Sequence, residues 1–274
     1  MTTVPSPAGR LRTLLRPWSG RPRVAVIRLA GMIGMGRARA LTDEGLAPLI
    51  EAAFRGRPAA VALEINSPGG SAVQSSLIAA RIRRLADEKG VPVLAFVEDV
   101  AASGGYWLAT AADEIWCDEG SMLGSIGVIS AGFGFQDLIA KLGVERRLHM
   151  AGRSKALLDP FRPEKPEDVA RLEGWLAQLH AVFIAQVQAR RGPRLADDPD
   201  LFTGEIWIGR QAVEKGLADG IGHLVPTLKA RFGDKVRLRR LVPRRPVLAR
   251  LGLSVAEESL GLLEERAAFA RFGL

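Results

Sequence analysis

The chain is short of the side chains on which redox, metal and nucleic-acid chemistry most often rely. Its 274 residues include one cysteine, Cys117, one tyrosine, and three histidines, His149, His180 and His223. A single cysteine excludes an intramolecular disulfide and fits a reducing compartment; within Glu114-Ile115-Trp116-Cys117 it reads as a small buried strand residue. No His, Cys or carboxylate group has metal-ligand spacing, and neither a dinucleotide-binding glycine fingerprint nor a P-loop occurs, so no metal and no cofactor are expected. One tyrosine leaves little for base stacking and no recognised binding module is visible, so no nucleic-acid partner is expected. Apolar runs are also missing before Val24, where the longest is Leu14-Leu15, against about 7 residues for a signal-peptide core and about 18 for a membrane span. The expected location is cytoplasmic, with no transmembrane segment or signal peptide.

What is present is a core-forming composition, 47% hydrophobic, and a net charge of +8. The positive charge is partly concentrated. Arg10, Arg12, Arg16, Arg21 and Arg23 form one cluster, and Lys235 to Arg245 places six cations in eleven residues. The second cluster is readable as an amphipathic edge strand, with Val236 and Leu238 inward and Lys235, Arg237 and Arg239 in solvent. It is also readable as a peripheral contact with an anionic membrane surface.

Strand-helix-strand repetition dominates the first half. Val24–Leu29, Ala59–Ile65 and Val91–Val97 are β-branched apolar runs. Between them lie a helix entered through Thr42-Asp43-Glu44, with Leu46, Leu49, Ile50 and Phe54 at helical spacing, and a helix from Ser71 to Glu88 closed by Gly90, with Val73, Leu77, Ile78, Ile82 and Leu85 as its stripe. Crossovers of this length imply an α/β fold with a mostly parallel sheet. Further on, the sequence predicts a helix Gly104–Ala111, strands Glu114–Cys117 and Val144–Met150, and a helix Gln136–Leu142. It also predicts a proline-rich loop 151–166, a long helix Glu167–Arg190, helices Trp207–Gly216 and Thr227–Arg231, and a tail helix Ser254–Phe272. The expected organisation is a flexible basic segment 1–23, a main domain 24–232, and a basic strand with an amphipathic helix over 233–274.

Four segments carry the chemistry: Glu64-Ile65-Asn66-Ser67-Pro68-Gly69-Gly70, Ala101-Ala102-Ser103-Gly104-Gly105-Tyr106, Met122-Leu123-Gly124-Ser125-Ile126-Gly127-Val128, and Gly152-Arg153-Ser154-Lys155-Ala156-Leu157-Leu158. The first is a glycine-rich turn where a strand meets a helix, at the sheet edge where α/β proteins place ligands. Ser103 stands between two alanines and two glycines, an exposed setting for a nucleophile and equally a natural helix N-cap. A serine hydroxyl needs a proton acceptor, and a lysine can serve if desolvation keeps it neutral. In order and spacing the four segments resemble the signal peptide peptidase A family of serine peptidases, relatives of the Clp protease within the crotonase-like superfold.

The resemblance implies Ser103 as nucleophile, Lys155 as general base, Ser125 as the serine that orients the lysine, and the amides of Gly70 and Gly104 as an oxyanion hole. It implies a Clp/crotonase-like fold, a peptide or protein substrate of extended hydrophobic character, and assembly into a homo-oligomer. It also implies a membrane anchor in many relatives, which the N-terminus here lacks. A Clp-type histidine mechanism would need His149, nearest the Lys155 loop, but the accompanying His-Gln-Pro signature is absent. The alternatives are an acyl-CoA enzyme of the same superfold, for which Glu64 and Asp99 are the acids near the strand ends, or a scaffold without peptidase activity.

Overall fold

The computed structural model describes residues 21–34, 40–152, 154–242, 266 and 268–274. Most of the expected basic N-terminal segment, and nearly all of the helix expected from Ser254, lie outside the described residues. The strands are β1 (Arg23–Ala30), β2 (Ala60–Ser67), β3 (Val93–Ala102), β4 (Glu114–Cys117), β5 (Met122–Gly124), β6 (Ile206–Ile208), β7 (Gly220–Ile221) and β8 (Arg237–Leu241). The helices are α1 (Asp43–Ala53), α2 (Ala72–Lys89), α3 (Gly104–Ala109), α4 (Gln136–Lys141), α5 (Pro166–Arg191), α6 (Arg210–Glu214) and α7 (Leu224–Phe232).

Strands whose apolar residues run without alternation should be covered on both faces, and β1 to β3 are. Ile27, Leu63 and Ile65 pack under Ile50 and Phe54 of the α1 side and Ile78 and Ile82 of α2. On the opposite face Val24, Val26, Leu94 and Phe96 meet Leu224 and Leu228 of α7. Each such side chain stabilises the fold by roughly 1.5–3 kcal/mol. The sheet order is β6-β5-β3-β2-β1-β8, and every pairing is parallel except β5 with β6. Along one edge of β3, Leu94–Val97 pairs with β4 and Val100–Ala102 pairs with β5, so the sheet forks midway along this strand.

Local signals held where local chemistry decides. Thr42 caps α1 by accepting from the Gly45 N–H, Ser71 caps α2 by accepting from Gln74, and Gly90 closes α2 with φ 60°. Other expectations need correction. Val73 and Leu77 are exposed, because the face α2 buries is set by Ser75, Ile78, Ala79, Ile82 and Ala86, on the opposite side of the helix. Val144–Met150 forms no strand: Glu145, Arg146 and Arg147 interrupt it, and all three are exposed. Trp207 belongs to β6 rather than a helix; the chain turns at Gly209, φ 44°, before α6 starts. The basic strand expected beyond residue 232 is β8, an edge strand of the main sheet with Leu238 and Leu241 half-buried and Arg237 and Arg239 exposed.

Candidate active site

Three strand ends meet at one place. β2 leads into the Asn66–Gly70 turn, β3 into Ser103, and β5 into Ser125. The turn is clamped from below by the chain leaving β1. Ser67 Oγ donates to the Gly31 carbonyl at 2.7 Å and accepts from the Gly69 N–H at 3.2 Å. Ile33 N–H donates to the Gly69 carbonyl at 2.8 Å, and the Ile33 carbonyl accepts from Ser71 N–H at 2.7 Å. Gly70 sits inside this clamp with φ 141°, where a Cβ would lie 1.9 Å from the Ile33 oxygen. Only glycine fits there.

Ser103 occupies the junction between β3 and α3 with φ 51° and ψ −122°. A side-chain residue in the left-handed region costs on the order of 1 kcal/mol and persists only where its surroundings enforce it. The enforcement is visible. Ser103 N–H donates to the Gly124 carbonyl at 2.9 Å and its own carbonyl accepts from Trp107 N–H at 3.0 Å. Trp107 stacks on Phe183 of α5 with ring centroids 4.8 Å apart, and the fully buried Tyr106 hydroxyl donates to the Leu217 carbonyl at 2.9 Å. Burial raises the Tyr106 phenol well above its ordinary range, so it stays a donor. Although Ser103 stands at the N-cap position, its hydroxyl makes no capping bond, which leaves the half-buried oxygen unengaged.

Gly104 lies so close to the turn that a Cβ would be 2.4 Å from Ser75 Oγ and 3.4 Å from the Gly70 nitrogen. Among the described residues neither the Gly70 nor the Gly104 backbone N–H has a hydrogen-bond acceptor. Two unspent donors beside an unengaged serine hydroxyl can stabilise an oxyanion that forms there. Ser125 follows the carbonyl that holds Ser103; it too has positive φ, 49°, and its N–H donates to the Glu205 carbonyl at 2.7 Å. The structure therefore brings Gly70, Ser103, Gly104 and Ser125 together.

Lys155 is not joined to that group. It is exposed in a turn where its N–H donates to the Gly152 carbonyl at 3.2 Å, and no hydrogen bond links its ammonium to Ser103 or Ser125. Ala156, Leu157 and Leu158 beside it are half-buried. Their loop leans on the α4 region: Phe135 N–H donates to the Pro160 carbonyl at 2.6 Å, and the Phe135 and Phe161 rings are 5.7 Å apart. His149 is exposed, with no hydrogen-bond partner among the described residues. His180, which reads as an ordinary helix residue, places Nε2 3.0 Å from the Ile126 carbonyl and ties α5 to the Ser125 loop. No sequence signal marks it, because its partner lies 54 positions away. Glu64 and Asp99, the acids available to acyl-CoA chemistry, are engaged by Arg240 and Asn66. Cys117 is buried and its thiol pushed up to about 11 by desolvation, the state of an inert core residue.

The chain is similar in sequence and in fold to known proteins. A protein of Brucella melitensis named as a Na(+)/H(+) antiporter NhaA is 46% identical over 271 residues, spanning 92% of this chain and 37% of that protein. A chloroplastic serine protease SPPA of Arabidopsis thaliana is 32% identical over 213 residues, 75% of this chain and 31% of that protein. The chain thus spans about a third of the length of these relatives. Among solved structures, a membrane-bound stomatin-specific protease, in a lysine-to-alanine mutant form with a substrate peptide, superposes with a TM-score of 0.54 at 16% identity, covering 87% of this chain and 99% of that one. The fold is the Clp/crotonase-like one of these proteases. The model of the peptidase family S49 matches residues 86–232, more than half of the sequence, and the chain belongs to that family.

Proposed function

We propose that the chain is a serine endopeptidase acting through Ser103 and Lys155 on extended hydrophobic peptides, of which signal-peptide remnants are the family example. The observation that carries this reading is Ser103 itself: a strained, uncapped serine at a strand-to-helix junction, beside the unspent amides of Gly70 and Gly104. In the reaction Ser103 Oγ bonds to the scissile carbonyl carbon and its proton passes to a neutral Lys155 amine. The carbonyl oxygen becomes an oxyanion between the Gly70 and Gly104 amides. As the C–N bond breaks, Lys155 returns the proton to the leaving amine, and it then takes a proton from the water that hydrolyses the ester. In the reacting complex, with the Lys155 loop closed on the site, Ser125 holds the lysine in orientation.

A neutral Lys155 requires desolvation, and in the single chain it is exposed. Cover from outside the chain supplies it: the peptide substrate, and a second copy seated on the apolar surface around its loop. That surface is extensive, with Phe133 81% exposed, Leu142 68% and Val144 55%. It supports a homo-oligomer in which the active sites are enclosed. Among the described residues no helix is long and apolar enough to cross a membrane.

The test is labelling with a fluorophosphonate and cleavage of a leucine- and alanine-rich fluorogenic peptide. Wild type is expected to be labelled once, at Ser103. Ser103→Ala should lose both signals, and Lys155→Ala and Lys155→Arg should lose turnover, since guanidinium stays charged. Activity that survives in Lys155→Ala and disappears in His149→Ala would replace the dyad by a histidine mechanism.

A further inference from the structure

Six arginines face one cavity at the amino ends of β1 and β8, the sheet edge opposite the one that carries Ser103. In this parallel pair Arg23 lies beside Arg237 and Ala25 beside Arg239. The period of two along each strand puts these residues on one face. It is the face α1 covers, since Ala25 and Ala53 share a core cluster. Beyond the end of α1 the loop to β2 carries Arg55 and Arg57 to the same place, and Arg21 approaches from the other side. Together Arg21, Arg23, Arg55, Arg57, Arg237 and Arg239 line a cavity of about 440 Å³, and among the described residues no acidic side chain lines it. Its walls are fixed by the backbone: Arg237 N–H donates to the Pro22 carbonyl at 2.8 Å, and Ala59 N–H donates to the Arg23 carbonyl at 2.8 Å.

Most of the other described arginines are paired with a carboxylate. On the same two strands Arg28 pairs with Glu98 at 2.7 Å and Arg240 pairs with Glu64; on α2 Arg83 pairs with Asp113 at 3.0 Å. Among the described residues none of the six has a carboxylate partner. Charged side chains on an edge strand also discourage edge-to-edge pairing, and Arg237 and Arg239 do that. Blocking an edge, however, gives no reason for a separate loop to add Arg55 and Arg57 to the same concavity. Arg57 moreover holds φ 48°, a left-handed conformation that glycine adopts more cheaply, next to Gly56 at φ 76°. Mutually repelling guanidiniums around a fixed hollow are a site in want of a multiply charged anion, and a phosphate group offers several charged acceptor oxygens in the geometry that guanidinium forks match. The volume has room for a phosphate group together with part of the molecule that carries it.

We propose that this cavity binds a phosphate group, presented either by an anionic phospholipid headgroup or by a soluble phosphate compound. The full chain should be titrated calorimetrically with sodium pyrophosphate at constant ionic strength. In parallel it should be co-sedimented with vesicles of phosphatidylglycerol and phosphatidylcholine, or of phosphatidylcholine alone. Saturable pyrophosphate binding is expected, weakened at least tenfold in Arg57→Gln/Arg239→Gln and unchanged in Arg84→Gln/Arg210→Gln, which removes the same charge elsewhere. Arg55→Gln, on the loop, gives an independent loss should the double variant be unstable. Phosphatidylglycerol-dependent sedimentation that pyrophosphate displaces assigns a headgroup; pyrophosphate binding without sedimentation assigns a soluble ligand. The proposal is overturned by absent or non-saturating pyrophosphate binding or by equal losses in the two double variants. Tighter retention of a single-stranded DNA oligonucleotide than of either phosphate probe at the same salt would overturn it too.

Discussion

In Gly70→Ala the new methyl group would be set 1.9 Å from the Ile33 carbonyl oxygen, about 1 Å inside the closest approach that real side chains make. Neither partner can yield freely. The Ile33 oxygen is held by Ser71 N–H at 2.7 Å and the Ile33 N–H by the Gly69 carbonyl at 2.8 Å, so a retreat of Ile33 breaks the clamp under the turn. The alternative is movement of the Gly70 peptide, and with it the amide proposed to bind the oxyanion. Displacing a catalytic group by about 1 Å costs on the order of 100-fold, and loss of one oxyanion donor about 100- to 1000-fold in kcat, or roughly 2.7–4 kcal/mol of transition-state stabilisation. The measurement is kcat and KM for a fluorogenic peptide, beside Tm by scanning calorimetry. Expected is a kcat loss of at least 100-fold with KM changed less than about threefold, because the donor acts on charge that develops only in the transition state. Gly174→Ala is the control: nothing lies within 4 Å of its would-be Cβ, and in mid-helix α5 it should stabilise by about 0.5–1 kcal/mol. A Gly70→Ala enzyme within fivefold of wild-type kcat would remove Gly70 from the oxyanion hole.

Two further outcomes concern stability. Arg191 is 3% exposed and donates to the Gly216 carbonyl at 2.8 Å and to Asp219 at 2.8 and 3.2 Å. Arg191→Ala leaves the Asp219 carboxylate only the Ile115 N–H at 2.7 Å and Arg194 at 3.5 Å, and should cost about 2–3 kcal/mol in urea unfolding; a cost under about 1 kcal/mol would mean that water replaces the guanidinium. The Asp43 carboxyl is held below the usual carboxylate range, first by its hydrogen bonds from Arg81, at 2.7 and 2.6 Å. A carboxyl lowered in the folded state stabilises above its unfolded value, about 3.9, and that contribution is lost as pH falls through the folded value. The Tm advantage of wild type over Asp43→Asn should therefore be full at pH 6 and shrink below about pH 4; an advantage constant down to pH 2.5 would refute the linkage.

The parts of this fold legible in the sequence are those that neighbours in the chain decide. Apolar runs marked β1 to β3 and their crossovers a mostly parallel sheet, Thr42 announced the cap of α1 and Gly90 the end of α2, and the glycines after β2 and β3 marked the turns that hold Gly70, Ser103 and Gly104. What stayed illegible depends on partners far along the chain. That β3 exchanges β4 for β5 midway, that β8 returns to pair with β1, and that His180 holds the Ile126 carbonyl have no local signature. The hydroxyl of Ser103 could be read as a cap or a nucleophile from its neighbours alone; its unused state appears only with the dihedrals. Lys155 sets the opposite problem, because its motif promises an apolar wall that one chain supplies only in part.

The hydrogen bond from Ser103 N–H to the Gly124 carbonyl also bears on when activity begins during synthesis. Ser103, the proposed nucleophile, leaves the ribosome before the residues that hold its backbone in place, and β5 is itself bordered by β6, more than eighty residues later. Parallel pairing of this kind closes long loops and is slow compared with helix formation. A nascent or truncated chain ending before β6 therefore carries the serine without the complete frame that strains it, and under the proposed mechanism the growing polypeptide is protected from Ser103 until most of the sheet has been made.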